Sequence, residues 1–90
     1  MLTGGWNIID QNGIKLEGKP QEAFNSLPKL GATYKPIAYC GTQVVNGINY
    51  GFIAQEVTYG HPIETHIVKI VINERDGKYE NVLSKFERLF

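Results

Sequence analysis

The hydrophobic positions along this chain change period once. Between residues 18 and 31 the apolar side chains fall three or four apart: Ala23, Phe24, Leu27 and Leu30. That spacing predicts one amphipathic helix. Pro20 sits where a first helical residue belongs, with Gln21 and Glu22 behind it. Pro28 lacks a backbone donor and threatens the last turn, so the helix is expected to end near Gly31. From Thr33 onward the period is two. Ile48, Tyr50, Phe52 and Ala54 share one face of a strand, and Val68, Ile70 and Ile72 share one face of the next. Strands are expected over "TYKPIAYCGTQVV", "INYGFIAQEVTY", "IETHIVKIVINE" and "YENVLSKFERLF", with a bulge at Gly41. Asn46-Gly47, "YGHP" at 59–62 and Asp76-Gly77 are the turns between them. Ahead of the helix, "GWNIID" at 5–10 favours a short strand closed by Asn12-Gly13.

The expected order is β-α-β-β-β-β. Strands joined by tight turns favour an antiparallel meander of about five strands, and one helix lying across it would cover the apolar stripes. The fold class is therefore α+β. The chain has 90 residues, which suits a single domain spanning 1–90.

Composition narrows the function classes. Nine basic side chains balance nine acidic ones, giving a formal net charge of +0. That removes the electrostatic case for nucleic acid or an acidic membrane surface as partner. No stretch reaches the roughly 18 apolar residues of a membrane span. Cys40 is the only cysteine, so neither an internal disulfide nor a cysteine-built zinc cluster is expected. The first residues lack the basic-then-apolar pattern of a signal peptide, so a cytoplasmic protein is expected, or a secreted one if a leader was removed upstream. Cys40 and His66 invite a nucleophile–base reading, but the meander separates their strands by a third, beyond the ~3 Å that such a pair needs. His61 reads as a solvated turn residue, and two histidines make a poor metal site. No glycine-rich phosphate loop follows a strand. No catalytic residue, metal or cofactor is expected, and the chain does not read as an enzyme.

One stretch remains unexplained by folding alone. "TQVVNGINYGF", residues 42–52, places Val44 and Val45 beside a turn that projects into water. The pentapeptide "QVVNG" at 43–47 resembles the Q-x-V-x-G signature of the cystatins, inhibitors of papain-like cysteine proteases. "MLTGGW" is similar to their glycine-bearing N-terminal trunk. The expected element order is theirs too, and the lack of disulfides resembles the intracellular stefin branch. The resemblance covers most of the chain and implies a cystatin-like fold with a curved sheet. It implies reversible, non-covalent occlusion of a papain- or cathepsin-type active-site cleft. Carried over by position, the contacts would be Gly4, Gly5, Gln43, Val44, Val45, Asn46 and Gly47. The second hairpin, through Asn73, Arg75, Asp76 and Gly77, would add a weaker point. Leu2 would reach a substrate pocket, while Trp6 reads as a packing residue.

The sequence departs from the family in its second loop. "NERDGKY" is charged and lacks the Pro-Trp pair of many cystatins (stefins lack it as well). The resemblance also implies a monomer able to form a domain-swapped dimer through the Asn46-Gly47 turn. "GGWNIID" is similar to the opening of monellin, a non-inhibitory protein of this fold. A cystatin-fold binding module without inhibitory activity is therefore the alternative expectation.

Overall fold

The computed structural model describes residues 7–82 and 86–90. One helix, α1 (Gly18–Asn25), precedes five strands: β1 (Ala32–Val45), β2 (Gly47–Thr58), β3 (Glu64–Arg75), β4 (Lys78–Asn81) and β5 (Glu87–Arg88). All pairings are antiparallel, in the order β1-β2-β3-β4, with β5 also on β3. The α+β class and the antiparallel pairing are as expected, whereas the count of five strands is reached differently, through two short strands where one final strand was expected.

Several details differ from the sequence reading. Residues 7–10 carry no strand, so the described order opens on the helix. The backbone N–H of Gln11 donates to the Gln55 side chain (3.0 Å) instead of joining a ladder. The Gly5 and Trp6 part of that expected strand lies outside the described residues. The helix ends at Asn25 rather than near Gly31. Ser26 and Leu27 add a last turn, through Ser26 N–H to the Glu22 and Ala23 carbonyls and Leu27 N–H to Phe24. Pro28 then biases Leu27 away from helical backbone and has no N–H to continue the ladder. Pro20 is the third helical residue, not the first. Leu30, expected on the buried face, is 93% exposed as a result.

The last expected strand is also broken. Its first part, β4, pairs rows Ile72–Arg75 of β3, and its last part, β5, pairs Val68 and Lys69. The two fragments share one border of β3. The first hairpin turn is tighter than a two-residue turn. Val45 pairs with Gly47 and leaves Asn46 alone between the strands.

The core follows the period-two stripes. Phe52, Ala54, Val68, Ile70 and Ile72 are at most 2% exposed, and Ala23, Phe24 and Leu27 of the helical segment close over them with Leu16. Phe24 meets Phe52 edge to face, with ring centroids 5.3 Å apart. This is the geometry that the ring quadrupoles favour. Strand β1 is irregular where expected. Its register shifts between Pro36 and Ala38 and between Tyr39 and Gly41, and Gly41 adopts φ +121°. Beyond Gly41 the β1–β2 ladder runs unbroken to the tip.

Candidate functional site

The regular end of the sheet carries the two valines. Val44 is 83% and Val45 46% exposed, and neither belongs to the core. The turn that presents them depends on Gly47 for two reasons. Its φ of +100° is a region that side chains rarely adopt. A Cβ at this position would also collide with the Glu74 carbonyl oxygen and lie 3.2 Å from the Arg75 Cβ. The tip of the first hairpin thus rests directly against the end of β3.

That end of β3 leads into the second hairpin. Arg75 pairs with Lys78, and Asp76 (φ 55°) and Gly77 (φ 77°) form a two-residue turn. Two positive φ values in succession mark the turn whose twist suits a hairpin, and Asp-Gly is a favoured sequence for it. Glu74 lies 3.7 Å from the Lys19 ammonium of α1. Its neighbour across the ladder, Tyr79, donates its hydroxyl to the Glu22 carboxylate at 2.8 Å. That bond to an anion, with burial adding to it, pushes the Tyr79 phenol up to about 12. The helix is thereby fastened to the second hairpin.

A row of amide side chains joins the two tips. Gln43, Asn49 and Asn73 occupy one register row across β1, β2 and β3. Asn49 Nδ2 donates to Gln43 Oε1 (3.2 Å), and Asn73 Nδ2 donates to Asn49 Oδ1 (2.9 Å) and to the Asn46 carbonyl (3.4 Å).

The structure thus gathers Gln43, Val44, Val45, Asn46, Gly47, Asn73, Arg75, Asp76 and Gly77 at one end of the sheet. Gly4 and Gly5, with Leu2, lie outside the described residues. The described part of the leading segment meets the sheet elsewhere. Lys35 Nζ donates to the Gln11 carbonyl (2.8 Å), and Gln55 Nε2 donates to Asp10 Oδ1 (3.1 Å). The Gln55 bond, then the Lys35 charge, hold the Asp10 carboxyl below its usual range. Gln55 is eight residues along β2 from Gly47, about 26 Å of strand. Asn49 and Gln55 were not singled out from the sequence. Asn49 shows there only as a polar residue between Ile48 and Tyr50, and Gln55 only as the first of a polar pair with Glu56, which any solvated sheet face also gives.

Other chemistry finds no geometry at the remaining candidates. Cys40 sits on β1 beside Gly51, whereas His66 on β3 pairs with Glu56. Five residues of β2 separate those levels, about 17 Å, so the two cannot act as nucleophile and base. The pole near His66 does carry a small polar cluster. His66 Nε2 is 3.5 Å from Glu64, and Tyr34, in edge contact with Phe86 (5.2 Å), is pushed up to about 12 by burial and by its bond to Glu56. Among the described residues no group of three or more His, Cys, Asp or Glu side chains could hold a metal ion, and no helix is long and apolar enough to cross a membrane. Comparison with protein-family models, with curated proteins and with solved structures finds no match to this chain.

Proposed function

We propose that this chain is a reversible, non-covalent inhibitor of papain-like cysteine proteases, with a cystatin-like fold, that docks through its paired hairpin tips. The observation that carries the reading is the exposure of Val44 and Val45 on a short, braced turn. Burying one such side chain in an apolar cleft is worth about 1.5–3 kcal/mol. A turn already fixed by Gly47 loses little conformational freedom on docking. The second hairpin lies level with the first and widens the contact. No group on the inhibitor need react, so a protease whose thiol carries a small blocking group should still bind. A cytoplasmic monomer, able to exchange the first hairpin with a second copy, belongs to the same proposal.

One observation favours the alternative, a cystatin-fold binding module without inhibition. Asp10 and Gln11 meet the sheet at Gln55, about 26 Å from the tip level, so the described leading segment does not itself flank the tips. Titrating papain against the protein separates the two readings. Inhibition at or below micromolar concentration is expected. It should be lost in Val45→Asp, which puts a charge into an apolar cleft, while the far-UV spectrum stays unchanged. No inhibition by the parent protein would leave the binding-module reading standing. Inhibition that survives Val45→Asp would move the contact elsewhere.

A further inference from the structure

We infer that Asn49 and Asn73 are positioning residues that clamp the two hairpin tips into one rigid unit, with Gln43 as the outer end of the clamp. The inference deepens the docking reading given above and rests on it for its functional consequence. It alters the part played by Gln43. The sequence resemblance makes Gln43 a direct contact, whereas its side-chain oxygen is already engaged by Asn49 at 3.2 Å.

The geometry has three parts. The row lies across three strands in register, so each amide faces its neighbour without a change of backbone path. Asn73 sits at the centre of the junction. It bonds both to a side chain of β2 and to the backbone carbonyl of Asn46, the residue at the apex of the first turn. Asn73 therefore holds the apex of one hairpin from a strand of the other. The absent side chain at Gly47 permits that approach, because the Glu74 carbonyl occupies the space a Cβ would need. With a side chain at 47 the apex would lift, and the Asn73–Asn46 bond would stretch with it.

Amides suit this place. Each primary amide has two donors and a carbonyl acceptor, so a chain of them can pass hydrogen bonds along a row. A charged pair in the same place would add a desolvation cost when a partner covers the row. The consequence for docking is a difference in rates. A clamped pair of tips presents the valines and the Arg75–Gly77 turn in one arrangement. An unclamped pair must be ordered on binding and escapes more readily.

The test uses the full chain and two readouts. Amide hydrogen exchange by NMR is recorded for the parent, for Asn73→Ala, for Asn49→Ala and for the double variant, with Lys69→Ala as a control away from the row. Loss of the clamp should speed exchange at Asn46, Gly47 and Ile48 by about three- to tenfold, the worth of one net hydrogen bond. Phe52 and Ile70 should keep the parent rates. The acceleration in the double variant should fall short of the product of the two single effects, since both break the same row. Equal tip exchange in the parent and Asn73→Ala would overturn the clamp, as would acceleration spread evenly through the sheet. The second readout is the dissociation rate from thiol-blocked papain, expected to rise about three- to tenfold in Asn73→Ala with a smaller change in association. If the parent does not bind papain, the docking reading fails while hydrogen exchange still decides the clamp. If dissociation rises without any change in tip exchange, Asn73 touches the enzyme directly and is not a positioning residue.

Discussion

Gly47 and Gly77 look alike in the sequence, each following a polar residue at a hairpin turn, yet they are held to different degrees. Both have positive φ, at +100° and +77°. Only Gly47 is also pressed against another strand, and around Gly77 nothing lies within 4 Å of a would-be Cβ. Gly77→Ala is therefore expected to cost about 1 kcal/mol, the price of left-handed backbone alone. Gly47→Ala should cost more, about 2–3 kcal/mol, because a steric collision is added to the same backbone strain. Thermal unfolding reads the difference, at roughly 4–8 °C for each kcal/mol in a domain of this size. Equal losses at the two glycines would show that the first tip is not pressed against β3. The sequence makes the need for glycine at 47 legible through the turn. It does not reveal the packing against Glu74, because that depends on how far one hairpin extends past the next. The same holds for the row of Gln43, Asn49 and Asn73. Each residue is visible as polar, but their partnership is set by strand register.

At the scale of elements, the regular strands were readable and the ends were not. Ile48 to Ala54 and Val68 to Ile72 alternate cleanly because one face is buried and the other solvated, and burial imposes a period of two on the side chains. The helix shows where such reading stops. Phe24, Leu27 and Leu30 follow one another in steps of three, and the backbone break at Pro28 separates the fates of the last two. Leu27 is 4% exposed and Leu30 93%. Leu27→Ala should thus cost about 2–4 kcal/mol in urea unfolding, as for a buried leucine whose removal leaves a cavity. Leu30→Ala should stay within about 0.5 kcal/mol. Comparable losses at both would put Leu30 back on a helix. The leading segment departs from its composition for a related reason. "NIID" has the composition of a strand, but the side chains of Gln55 and Lys35 capture the Gln11 backbone before a ladder can form. The broken final strand was hidden because composition alone does not register an interruption of pairing.

Seen whole, the molecule is elongated, with extents of 45 × 23 × 19 Å. Its radius of gyration is 13.7 Å, against about 12 Å for a compact chain of this length. The long β1–β2 hairpin sets the long axis. A body so drawn out needs cross-ties, and Tyr79 to Glu22 is one that joins helix and sheet. That tie has a pH signature. The Tyr79 phenol titrates near 10 when unfolded and at about 12 in the fold, and Tyr34 also rises to about 12. A raised pKa means the folded state holds its proton more tightly, so this contribution is complete below pH 10 and drains away as pH climbs from about 10 through 12. The thermal midpoint should fall across that window, and Tyr79→Phe should fall less steeply than the parent between pH 9 and 11.5. Parallel curves would mean that the hydroxyl bond contributes nothing to the fold.

The split border of β3 has a further effect. Among the described residues, strands of four and two residues, set apart along one side, offer a passing chain no straight run of free amides to copy. A foreign segment could align with one fragment only by losing its register at the next. The flaw that hid the last strand from a reading of composition thus guards that flank against templated aggregation.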